Sequence, residues 1–304
     1  MSVSIYFWIG FHLFIFLMLS LDLGIFNKTA HKVAVREALI WSGVWIFLAL
    51  LFNVFVYFEF GKTHALEFLT GYVIEYSLSV DNIFVFILIF TYFSIKARYQ
   101  HRILFWGILG ALLMRGIFIF AGVSLINRFE WVILIFGAFL VFTGIRMLFQ
   151  KDEAVDPGNN KIVKLARKIL PVTDTVRGQS LFVRENSKLY ATPLFLVLLV
   201  VESSDLIFAV DSIPAILAIS RDKFIVYTSN IFAILGLRSL YFAISGIMAY
   251  FRYLKVGLAF VLSFVGLKML VSFFHFEIPI LLSLLIIILI LLISVLASVF
   301  IKKK

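Results

Sequence analysis

The chain contains no cysteine. That excludes disulfides, thiolate metal centres and redox chemistry at sulfur, and it leaves soft metals such as Cu(I) only six methionines as preferred ligands. Charge is scarce as well. Only 14% of the 304 residues are Asp, Glu, Lys or Arg, where a soluble domain carries about a quarter. No G-x-x-x-x-G-K-[ST] phosphate loop occurs, so ATP does not drive work within this chain. No nucleophile–base set or cofactor motif appears either, and the chain is not expected to be an enzyme. What is present is apolar. Hydrophobic residues make up 63% of the chain and mean hydropathy is +1.09, which identifies an all-α polytopic membrane protein.

A spanning helix needs about 20 mostly apolar residues. Nine runs qualify: 5–26, 36–58, 66–94, 101–123, 129–150, 192–219, 223–250, 254–275 and 278–301. The first contains Asp22 and lacks a charged leader and a small-residue cleavage site, so it is expected to be a retained helix. Basic residues collect in alternate connections: Lys28, Lys32 and Arg36; Lys96, Arg98 and Arg102; the 151–191 loop; Arg252 and Lys255; and Lys302 to Lys304. The connections near Lys62, Arg128, Arg221 and Glu277 are short and roughly neutral. The positive-inside rule then places the N-terminus outside and the C-terminus in the cytoplasm. It also accounts for the net charge of +10 without nucleic acid as a partner.

The 151–191 loop has a pattern of its own. Ile162, Leu165, Ala166 and Ile169 recur at helical spacing among Lys161, Lys164, Arg167 and Lys168, which predicts a short basic amphipathic helix. It could lie on the anionic inner leaflet or be a solvated linker, with Pro171 stopping it. Leu181–Val183 and Lys188–Tyr190 flank a polar turn and read as a small hairpin. This loop is also where a protein partner would dock.

An internal repeat is visible. Asp81-Asn82-Ile83-Phe84 aligns with Asp205-Leu206-Ile207-Phe208, Arg115 with Arg238, and Gly144-Ile145-Arg146-Met147-Leu148 with Gly266-Leu267-Lys268-Met269-Leu270. Each unit holds three spans, 66–150 and 192–275. An odd number of spans means that the two copies cross the membrane in opposite directions, an architecture of secondary transporters.

Five carboxylates lie in these units at membrane depth: Glu75, Asp81, Glu202, Asp205 and Asp211. A carboxylate there costs at least ~2.5 kcal/mol, so such residues mark function more often than packing. Glu75, Ser79 and Asn82 share one helix face, with Asp81 turned away; Glu202 and Asp205 share another. All five would converge only if the helices unwound, and Ser77–Ser79, Ser203-Ser204 and Pro214 are the expected breaks. Carboxylates, the Asn82 amide and hydroxyls are hard oxygen donors suited to Mn²⁺, Mg²⁺ or Ca²⁺. Arg115 and Arg238 are expected as counter-charges or gates, too few to neutralise five acids. Asp22 is expected at the interface, and Asn53 in an interhelical hydrogen bond. Carboxylates that exchange a metal for protons suggest metal/proton antiport.

Several stretches are similar to the TerC family of integral membrane proteins, and within it to the Alx-like branch. They are Phe68-Leu69-Thr70-Gly71-Tyr72, Glu75 through Asn82, Ile135–Leu140, Tyr190–Pro193, Glu202 through Pro214, and Thr228–Arg238. The resemblance runs from about Leu19 to the end of the chain. It implies a bacterial cytoplasmic (inner) membrane protein that exports Mn²⁺ as its cargo, with no resident cofactor. It also implies a metal site on Glu75, Asp81, Glu202, Asp205 and Asp211, to which Asn82 is added from the residue chemistry above. A Ca²⁺/proton exchanger shares the same residues. A non-transporting factor for metallation of secreted proteins, or for tellurite stress, is the alternative of another class.

Overall fold

A computed structural model describes residues 3–21, 34–149, 161–173, 176, 178–185, 188–245 and 253–300. Ten helices and one hairpin follow in order: α1 Ile5–Leu21, α2 Val35–Phe60, α3 Lys62–Tyr92, α4 Ala97–Arg128, α5 Val132–Phe149, α6 Lys161–Ile169, β1 Phe182–Glu185, β2 Lys188–Ala191, α7 Pro193–Leu217, α8 Lys223–Ser245, α9 Leu254–Phe273 and α10 Ile280–Phe300. Eight of them, α2–α5 and α7–α10, are long and apolar enough to cross a membrane. The ninth expected span, α1, is helical over 17 described residues. Its continuation to Phe26, with Asp22, lies outside the described residues, as do 246–250 of the seventh.

Helices α3 and α4 have 31 and 32 residues, which at 1.5 Å per residue makes each about 47 Å long. That exceeds the hydrocarbon thickness of about 30 Å and is accommodated by tilt or by ends that stand clear of it. Polar ends such as Arg98-Tyr99-Gln100-His101-Arg102 therefore continue the α4 helix beyond its apolar run. Helix α8 is almost wholly buried, whereas α2 and α10 turn most of their surface outward. The α10 side chains Leu282, Leu285, Leu289, Leu292 and Leu296 are exposed, as lipid contact requires. Helix α1 closes one side, with Trp8 and Phe11 packed edge-on to Phe224.

Close approaches fix the direction of each helix pair. Ser229 sits against Gly71 and Tyr76 against Gly236, so α3 and α8 run parallel. Val201 lies on Gly107 and Leu217 on Gly122, so α4 and α7 also run parallel. Helices α5 and α9 are antiparallel, with Leu270 and Gly266 at Gly137 and Ser263 at Gly144. Small residues at each crossing let these backbones meet. Helices α3 and α7 pack against each other, as do α4 and α8. Exchanging α3–α5 with α7–α9 carries α3·α8 onto α7·α4 and leaves α5·α9, α3·α7 and α4·α8 each on itself.

The hairpin pairs Phe182 with Ala191 through Glu185 with Lys188, so its first strand runs two residues further into the turn than Leu181–Val183 suggested. Helix α6 packs on α7 through Val163, which is buried, and Ala166. Leu165 and Ile169, expected on the same apolar face, are exposed instead. The apolar arc is wider than one contact can cover.

Candidate functional site

Arg115 lies near the middle of α4 with no exposed surface. Its Nη1 donates to Glu75 Oε1 of α3 in a close ion pair. Its Nε and Nη2 donate to the two carboxylate oxygens of Asp205 on α7, at 3.2 and 3.0 Å. Nη1 also comes within 3.4 Å of the Ser212 hydroxyl, which shares a helix face with Asp205 seven residues on. One guanidinium thus joins three helices. At an effective dielectric constant near 20, opposite charges at such range attract by about 4 kcal/mol. Breaking a buried pair by removing one partner costs about 3–5 kcal/mol.

Glu202 completes the group. One turn before Asp205, it presents its carboxyl to α4 at Gly110, where a methyl group would overlap it. Among the described residues its Oε2 is buried without a hydrogen-bond partner, as are Glu75 Oε2 and Ser79 Oγ. Arg238 of α8 lines a small cavity together with Asp205, Gly107, Val201 and Phe86. Asp205 therefore has one arginine bound and a second bordering the same space.

Asp211 lies apart from this group. Asp211 faces α5, where Thr143 approaches Oδ1 at 3.4 Å and Arg146 interacts with it electrostatically. Asp81 is half-buried on α3, while Glu75, Ser79 and Asn82 are buried on the face anticipated for them. Among the described residues no three His, Asp or Glu side chains are gathered closely enough to hold a metal.

The reason is that α3 and α7 are continuous helices, and the expected unwinding does not occur. Three of the four serines read as breaks bond back within their own helix: Ser77 to the Val73 carbonyl, and Ser203 and Ser204 both to that of Val200. Such bonds satisfy a hydroxyl without opening the helix. Pro214 falls in the last turn of α7, where its missing N–H frees one carbonyl and ends nothing. Asn53 does not make the full interhelical bond expected, since its Oδ1 is buried without a partner among the described residues.

Sequence reasoning missed several polar residues. Glu67 of α3 accepts from the Ser220 hydroxyl at 2.8 Å and pairs with His64 at 2.9 Å. The buried Lys268 of α9 interacts with Glu67 electrostatically. His12 of α1 meets the Tyr227 hydroxyl at 3.0 Å. Gly107 and Gly110, three apart inside one helix, were the available signal for the close approach that seats Glu202.

These features define a multi-pass helical membrane protein with a buried, ion-paired polar centre. Residues 60–304 match the family described as "Integral membrane protein TerC family", and the chain belongs to that family. It is 51% identical over 291 residues to "Uncharacterized membrane protein STKORF319" of Myxococcus xanthus, covering 96% of this chain and 91% of that protein. It is 47% identical over 304 residues to "Putative membrane-bound redox modulator Alx" of Salmonella typhi (97% and 94%). It is 48% identical over 287 residues to the protein of that name in Escherichia coli K12 (91% and 89%). No solved structure matches.

Proposed function

We propose that this chain is a secondary transporter that exports Mn²⁺ from the cytoplasm across the bacterial inner membrane, exchanging metal for protons. The supporting observation is the buried centre in which Arg115 holds Glu75 and Asp205 while Glu202, one turn before Asp205, keeps an oxygen unpartnered among the described residues. In the α3–α5 and α7–α9 units, Glu75, Asp81, Glu202, Asp205 and Asp211 outnumber Arg115, Arg146 and Arg238 by two. That is the charge of one divalent cation. Counting Arg146 lowers the surplus from the three that Arg115 and Arg238 alone would leave.

Oxygen donors favour a hard ion, and the resemblance to the Alx-like branch is the ground for preferring manganese over calcium. The candidate ligands are Glu75, Asp81, Asn82, Glu202, Asp205 and Asp211, drawn together as the helices move. The exchange relation between α3–α5 and α7–α9 favours inverted repeats that rock about a site between them. Export against about −100 mV costs a divalent ion roughly 4.6 kcal/mol, and inward proton flow would supply it. The N-terminus then lies outside and the C-terminus inside. A redox role of the kind in the relatives' names would have to act without any thiol in this chain.

Mn²⁺ flux in proteoliposomes under an imposed pH gradient tests the proposal. Wild type should transport; Asp81→Asn, Asp205→Asn and Asp211→Asn should each lose most of the flux. Equal flux in all four would remove the site, and flux indifferent to the pH gradient would remove proton coupling. Absence of Mn²⁺ flux with robust Ca²⁺ flux would reassign the ion.

A further inference from the structure

The residue that organises the proposed site is itself a cation. Arg115 engages oxygens of both Glu75 and Asp205, two of the carboxylates on which the transport reading depends. It is fully buried, so its charge is not dispersed by water. A guanidinium and a divalent ion compete for such a pair of carboxylates, because like charges at close range in a poorly screened interior repel strongly. An ion that takes the oxygens Arg115 now holds must have Arg115 leave them.

A further carboxyl lies between the same two helices. Glu202 precedes Asp205 by one turn on α7, and its carboxyl is seated on α4 at Gly110, five residues before Arg115. Helices α4 and α7 run parallel here, and a helical side chain leans toward the N-terminal end of its helix. Arg115 therefore leans toward the level of Glu202. The Oε2 of Glu202 is buried and accepts no hydrogen bond among the described residues, and leaving such an oxygen unsatisfied is costly. A bulkier residue than glycine at 110 would remove this seat.

We propose that Arg115 is a tethered competitor of the transported ion. It holds Glu75 and Asp205 when the ion does not, and passes to Glu202 when a divalent ion takes them. Glu202 is then the parking carboxylate of Arg115 in the loaded protein, not a direct ligand. This inference rests on the transport reading and refines the role of Glu202 within it. Such a switch ties ion binding to a shift between α4 and α7, and it spares the empty carrier from crossing with bare carboxylates.

Equilibrium binding of Mn²⁺ to purified protein in nanodiscs, followed by the loss of the free-ion electron paramagnetic resonance signal, tests it without flux. Arg115→Gln removes the competitor and should tighten binding at least tenfold. Arg115→Lys keeps the charge but loses the two-nitrogen grip on Asp205, and should tighten it less; it serves if Arg115→Gln does not fold. Glu202→Gln should weaken binding about tenfold in wild type, less in Arg115→Lys, and not at all in Arg115→Gln. Unchanged or weaker binding on loss of Arg115, or a Glu202→Gln effect equal in all backgrounds, would overturn the switch. If wild type and every variant fail to bind Mn²⁺, the transport reading falls and the switch with it.

Discussion

Arg115 grips Asp205 with two nitrogens on two oxygens, Nε at 3.2 Å and Nη2 at 3.0 Å. This forked geometry is specific to arginine, since a lysine ammonium cannot span both oxygens of one carboxylate. The third nitrogen holds Glu75. The contact joins a helix of the first unit to one of the second, so the same bond that balances charge also sets how the halves meet.

Asp205→Asn keeps the shape and removes the charge. Arg115 then retains Glu75 alone, with one forked bond replaced by weaker neutral contacts. Stability should fall by about 3 kcal/mol, the lower end for breaking a buried pair whose other partner survives. Thermal unfolding in detergent micelles measures this. A melting temperature equal to wild type would mean that the pair contributes no net stability.

Gly110→Val tests the seat of Glu202. Even a methyl group there would overlap the Glu202 carboxyl, and the branched side chain must push it from α4. Mn²⁺ flux should drop at least tenfold while the protein stays folded and membrane-inserted. Gly43→Ala is the matched control, because nothing lies within 4 Å of that position. It should leave flux unchanged and add up to about 1 kcal/mol through helix propensity.

The absence of cysteine makes orientation directly measurable. Ser4→Cys and Lys188→Cys introduce single thiols into a background that holds none. With the N-terminus outside, an impermeant maleimide added to whole cells should label position 4. Position 188, on β2, should react only after the cells are opened. The reverse pattern would invert the proposed topology.

Much of this architecture is legible in the sequence because lipid imposes a length. An apolar run of about 20 residues leaves few alternatives to a helix, and the acids stand out against it. The ends were less legible, since α4 continues through charged residues that hydropathy assigns to a loop. Rotation was less legible still. Nothing in the order of residues says that Arg115 meets Asp205 and Glu75 while Asp211 turns to Thr143; that depends on which helices touch. The serines misled because their hydroxyls can either open a helix or bond to its own carbonyls. Here Ser77, Ser203 and Ser204 do the latter.

The crossing of α5 and α9 should behave differently from the site. A Cβ on Gly266 would lie 2.8 Å from the Gly137 carbonyl oxygen and 2.8 Å from the Val141 nitrogen. Both are backbone atoms and cannot rotate aside, so Gly266→Ala must separate the helices. Overpacking of this kind costs about 1–3 kcal/mol, and helix propensity returns at most about 1 kcal/mol. The net expectation is a lower melting temperature. Helices α5 and α9 carry no residue of the Arg115 group, so Mn²⁺ affinity of the folded fraction should stay at the wild-type value. Equilibrium binding on the same sample separates the two effects. A loss of affinity without a loss of stability would mean that the α5·α9 crossing sets the geometry of the carboxylates and is not merely their scaffold.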